Sequence, residues 1–65
     1  METPKTAKIL KDLRGQKSQK EVASAVGISI SALGMYEIGQ RIPKDNIKKR
    51  LAEYYGKTVG EIFFT

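Results

Sequence analysis

SQKEVASAVGISISALGMYEIGQRIP, residues 18–43, decides how this 65-residue chain folds. Its opening, Ser18-Gln19-Lys20-Glu21, has the form of a capping box. The Ser18 hydroxyl is expected to cover the N–H of Glu21 while the Glu21 carboxylate reaches back. Val22, Ala23 and Val26 then recur at helical spacing, and Gly27, with no Cβ, takes the left-handed conformation that a sharp turn demands. Ser29 is a good N-cap for a further helix running to about Ile38. At about 100° per residue, Ala32, Leu33 and Tyr36 share one arc of that helix, and Ile30, Ser31, Gly34, Met35 and Ile38 share the opposite one. The first arc is core. The second carries apolar chains and a glycine but no charge, which a plainly solvated helix does not display. The stretch is therefore expected to form two short helices joined by a tight turn, the second offered outward.

The flanks serve this unit. Pro4 suits the first turn of a helix, where its missing N–H costs nothing, and Thr3 can cap it. Ile9, Leu10 and Leu13 fall on one side of this first helix, Lys5, Lys8 and Lys11 lie elsewhere, and it closes near Gly15. Beyond Pro43, the pattern Ile47, Leu51, Tyr54, Tyr55 predicts a fourth helix over Lys44 to Tyr55, with Lys48, Lys49, Arg50 and Glu53 around it and a stop at Gly56. Thr58-Val59-Gly60-Glu61 repeats the capping-box form. Ile62, Phe63 and Phe64 then make a short fifth helix or turn that lids the core. No segment shows strand alternation or a repeat. The expected fold is all-α, a compact bundle of five short helices in a single domain over residues 1–65.

Composition narrows the chemistry. A chain of 65 residues supports one modest core. Cysteine and histidine are both absent, which excludes disulfides, cysteine metal sites and imidazole chemistry. The few serines and carboxylates are accounted for by caps and surface positions, and a glycine-rich phosphate loop is missing. The chain is expected not to be an enzyme and to use no metal, cofactor or small-molecule substrate. Apolar runs are far too short to span a membrane, and METPKTAK lacks the apolar core of a signal peptide, so the expected location is cytoplasmic. A net charge of +5 and a pI near 9.7 favour a polyanionic partner, nucleic acid or an anionic membrane.

Gln19-x-Glu21-Val22-Ala23, Gly27-Ile28-Ser29, Leu33, Tyr36-Glu37-x-Gly39, Arg41 and Pro43 together resemble the phage repressor and Cro-like helix-turn-helix family, also called the xenobiotic-response-element type. The resemblance continues through Leu51-Ala52, Tyr55-Gly56 and Ile62-Phe63 and covers roughly residues 9–63. It implies a lambda-repressor-like DNA-binding domain that recognises a double-stranded DNA operator as a homodimer on paired half-sites. It implies, too, that Gln19 contacts a phosphate and that Ile30, Ser31, Gly34 and Met35 face the bases of the major groove. Leu10, Leu13 and Arg14 resemble the family's helix 1 signature, whose arginine pairs with the glutamate found here at Glu37. Three features depart from the pattern. The link from Arg14 to Gln19 is shorter than usual, Lys17 stands where an apolar residue is common, and Ile38 replaces an asparagine whose phosphate contact it cannot make.

Physical argument supplies further roles and keeps alternatives open. Taken alone, Gln19 and Ser29 are merely helix-start residues; within the whole pattern both are placed to meet phosphate oxygens at helix N-termini. Gln40, Arg41 and Lys44 are the other expected phosphate contacts. For Lys48, Lys49 and Arg50 a solvated helix face and a phosphate-facing one are equally open. Ile30 and Met35 cannot make the bidentate contacts by which arginine or glutamine reads a base, which leaves thymine methyls, the Ser31 hydroxyl and DNA shape as the basis of specificity. The same apolar arc also suits a protein partner. Among Tyr54, Tyr55, Phe63 and Phe64, one or two are expected to escape a core this small and meet a second copy. The leading reading is a small transcriptional repressor of phage or mobile-element type. The alternative is a protein-interaction module such as an antitoxin or antirepressor partner.

Overall fold

Serine and threonine hydroxyls start three of the helices. In the computed structural model, which describes residues 4–64, the Ser18 hydroxyl accepts from the Glu21 N–H at 3.0 Å and opens α2, Gln19–Val26. Ser29 accepts from the Ala32 N–H at 3.0 Å and opens α3, Ile30–Glu37. Thr58 opens α5, Val59–Phe63, with both bonds of its capping box to Glu61 formed. At Ser18 only half of the expected box exists: Glu21 stays exposed to solvent, its carboxylate close enough to Lys17 to help raise that ammonium's pKa. The remaining helices are α1, Pro4–Arg14, and α4, Asp45–Tyr55. The cap expected of Thr3 lies outside the described residues. No strand occurs among those described.

The helices surround one interior. α1 packs on α3 and α5, α2 on α3 and α4, and α4 on α5. Leu10, Val22, Leu33, Leu51, Ile62 and Phe63 are wholly or almost wholly buried and form its centre. Truncating any such leucine to alanine removes about 2–5 kcal/mol by lost transfer energy and cavity formation. Ile9, Leu13, Ile47, Tyr54, Tyr55 and Val59 pack around that centre while keeping some exposure. Of the four C-terminal aromatics, Phe63 is fully buried, the two tyrosines are half-buried and Phe64 is 60% exposed.

Three buried polar residues break the simple pattern. Lys48 does not stand on a solvated face of α4: it is buried where α4 packs on α5. Its ammonium lies 5.7 Å from the Phe63 ring and 5.0 Å from the Phe64 ring, with an Asp45 carboxylate oxygen at 3.9 Å. Thr6, one turn before Leu10, is buried with its hydroxyl unpartnered among the described residues. Glu37 is buried at the end of α3.

The Tyr55 hydroxyl is likewise buried without a partner among the described residues, and burial pushes its pKa up to about 12. An unsatisfied buried hydroxyl costs stability, so Tyr55→Phe is expected to raise the unfolding free energy by about 1 kcal/mol near neutral pH. The sign of the pH dependence follows from the raised pKa. The unfolded tyrosine ionises near its ordinary value of 10.0 while the folded one resists until about 12. Wild-type stability therefore falls across that interval, and the advantage of Tyr55→Phe grows. Denaturant unfolding of both proteins from neutral to strongly alkaline pH checks this; a constant gap would refute it.

Candidate nucleic-acid interface

The turn between α2 and α3 is built on one carbonyl. Gly27 sits at φ +84°, ψ +35°, and the N–H groups of Gly27 and Ile28 both donate to the Ala23 carbonyl, at 2.8 and 3.0 Å. Left-handed backbone costs a residue with a Cβ about 1–2 kcal/mol, which is why glycine stands there. Ala23 is 1% exposed, its small side chain fully enclosed. Ser29 then turns the chain into α3.

Leu33, Tyr36 and Glu37 point α3 inward, and Ala32 is half-buried. The four residues expected to face bases divide into two pairs. Ile30 and Ser31 are exposed; Gly34 and Met35 are half-buried on the shoulder of the helix. Gly34 runs beside α2, where a Cβ added to it would come 3.7 Å from the Gln19 amide nitrogen. Past α3, Ile38 and Ile42 are also exposed, at 64% and 57%. Ile42 is an exposed apolar residue that the sequence reading did not single out. Its exposure could not be read from periodicity, because it stands in a loop.

That loop carries the cations. Residues 38–44 leave α3 through the Gln40 N–H donating to the Met35 carbonyl at 2.9 Å, and Pro43 anchors the far end by burial. Gln40, Arg41 and Lys44 are all exposed, and neither cation has an ion-pair partner among the described residues. Lys44 is also the N-cap residue of α4, where it supplies no side-chain bond. Arg50 goes elsewhere: its guanidinium lies 3.6 Å from the position a Cβ would take at Gly27, at the end of α2 remote from Gln19. With Lys48 buried and Arg50 over the turn, only Lys49 of that trio stays exposed without such a contact.

Behind this face, Glu37 joins three helices. Arg14 Nε donates to its Oε2 at 2.8 Å and Gln19 Nε2 to its Oε1 at 3.0 Å. The Glu37 side chain is 2% exposed and that of Arg14 17%. The hydrogen bond to Glu37 raises the Arg14 pKa above its ordinary value, against the lowering effect of burial. Arg14 also donates to the Lys17 carbonyl at 2.6 Å, which ties down the short link between α1 and α2. Lys17, the departure from an apolar residue, donates to the Tyr54 hydroxyl at 3.1 Å and lies over that ring at 4.9 Å. It covers tyrosine through cation–π attraction where an aliphatic chain would have packed. The bond from Gln19 to Glu37 escaped the sequence reading, and no local signal could have found it, since the two residues meet only once α2 and α3 are docked.

No group of acidic residues that could hold a metal ion occurs among the described residues, and no helix there is long and apolar enough to cross a membrane. Among families of known proteins, the helix-turn-helix model of the Cro/CI type matches residues 10–62. No curated protein and no solved structure matches the chain.

Removing one member of a buried ion pair strands the other, so Arg14→Ala is expected to cost about 3 kcal/mol. Replacing the pair together, Arg14→Met with Glu37→Leu, is expected to recover most of that loss, because no buried carboxylate then lacks its cation. Denaturation midpoints of the two variants decide the matter. A single variant as stable as the wild type would show that the pair has no structural weight.

Proposed function

Because this chain belongs to the Cro/CI-type helix-turn-helix family of DNA-binding regulators, we propose that it is a sequence-specific repressor of phage or mobile-element type, with residues 1–65 acting as one DNA-binding unit in the cytoplasm. α3 enters the major groove. The observation that carries this reading is the pairing of an uncharged outward surface on α3 with two exposed cations, Arg41 and Lys44, that have no ion-pair partner among the described residues, in the loop that follows it. Cations beside the groove neutralise phosphates, while the neighbouring surface of α3 meets base edges without a charge to desolvate.

Each residue then has a task. The Ser29 hydroxyl accepts from Ala32 through one lone pair and keeps its proton to donate to a phosphate. Gln19 and Gln40 add neutral contacts to the backbone. Ile30, and Met35 from the shoulder, pack on thymine methyls, and Ser31 donates to or accepts from a base edge. Gly34 lets the duplex come close. The described residues span 26 Å along their longest axis, less than the roughly 34 Å between half-sites one helical turn apart. This supports a homodimer, and Phe64, the exposed aromatic at the opposite end of the chain, supports a contact between copies.

The exposure of Ile38 and Ile42 supports a second reading, a module that binds a protein partner of the antitoxin or antirepressor kind. Mutation separates the two: Gln19→Ala with Arg41→Ala weakens DNA binding under the first reading and leaves protein binding intact under the second.

Affinity for duplex DNA, measured across a range of salt concentrations, is expected to fall linearly on logarithmic axes, and Arg41→Ala and Lys44→Ala each to reduce the slope by about 1. Affinity that ignores salt would overturn the phosphate contacts. Ser29→Asp gives a second check. Aspartate caps a helix as well as serine does, so thermal stability is expected to hold while DNA affinity drops through charge repulsion.

A further inference from the structure

We infer that Glu37 is a positioning residue for DNA binding: its carboxylate fixes the Gln19 amide in one orientation, ready for a backbone phosphate. The inference rests on the DNA-binding reading above. A carboxylate at this depth accepts hydrogen bonds only, so it selects which end of the Gln19 amide turns inward. Nε2 faces Glu37. The amide carbonyl has no protein donor, yet it is not among the buried unpartnered atoms, so it reaches solvent. One N–H of the amide remains for an outside acceptor.

The surroundings suit a phosphate oxygen. Gln19 begins α2, and the backbone N–H groups of Gln19 and Lys20 have no acceptor among the described residues, since Ser18 takes those of Glu21 and Val22. Gly34 passes alongside with nothing to cover the amide: a Cβ would make ordinary contact at 3.7 Å, and any longer side chain would lie across it. Arg14 completes the arrangement. An uncompensated carboxylate behind the amide would repel a phosphate, whereas the guanidinium at 2.8 Å cancels that charge. A glutamine held beforehand also loses less rotamer freedom on binding than a mobile one.

Two measurements test this. The first is a double-mutant cycle on affinity for a duplex enriched from a random-sequence pool, with folding of each variant verified by its circular dichroism melt. Gln19→Ala and Glu37→Gln are each expected to weaken binding about tenfold, the size of a charge-assisted hydrogen bond. The double variant is expected to bind no more weakly than Gln19→Ala alone, because Glu37 acts through Gln19. Multiplying losses, or wild-type affinity in Glu37→Gln, would overturn the inference. The second measurement needs no mutation. Nitrogen-15 relaxation of the side-chain amides is expected to show Gln19 restrained and the exposed Gln16 and Gln40 mobile; equal mobility would overturn the inference even if Glu37→Gln failed to fold. Arg41→Ala separates the two levels of argument. If it weakens binding while Glu37→Gln does not, the positioning role alone falls, and if the wild type binds no duplex at all, the DNA-binding reading falls with it.

Discussion

Both oxygens of the Glu37 carboxylate are taken, one by the last residue of α1 and one by the first residue of α2, while the residue itself ends α3. Three helix ends therefore meet at a single planar group whose acceptor directions are set by its own geometry. An isolated buried carboxylate would be costly, and the ion pair with Arg14 returns only part of the desolvation energy. What the arrangement supplies is register. Sliding α3 along α1 or rotating α2 about its axis would break a short charge-assisted bond, and apolar packing alone has no comparable directional preference.

The interior around that group is too small to be forgiving. Leu10, Leu33, Leu51, Ile62 and Phe63 come from four different helices, so each contributes a large share of its helix's buried surface. α5 has five residues and no independent claim to stability. It exists because Thr58 and Glu61 cap it and because Ile62 and Phe63 are fully covered. The burial of Lys48 belongs to the same economy. Its methylene stem supplies apolar cover for α5, and its ammonium is left beside two aromatic rings and Asp45 where its charge is still answered.

The elements were legible in the sequence because their ends are local. Ser18, Ser29, Thr58, Gly27 and Gly56 act within four residues of themselves, and each stands where the pattern put it. Apolar periodicity found the core leucines for the same reason. What could not be read depends on docking. Nothing near Lys48 says that a later helix will cover it. Nothing near Glu37 says that its second oxygen will meet a glutamine 18 residues earlier. The missing half of the box at Ser18 is a subtler case: the residue types were right, but an exposed Glu21 keeps its hydration and stays near Lys17. At the candidate interface, helical spacing separated inward from outward on α3, but it could not grade Gly34 and Met35, both half-buried, the first of them beside α2.

The double acceptance at the Ala23 carbonyl has a mechanical meaning. Both hydrogen bonds fix the chain as it leaves α2, and Glu37 ties α2 to the far end of α3. In the DNA-binding reading proposed above, a surface tied in this way leaves adjustment to the other side. For a duplex that means paying in bending and twisting to match a fixed template, and sequences that deform cheaply gain over stiff ones even at base pairs no side chain reaches.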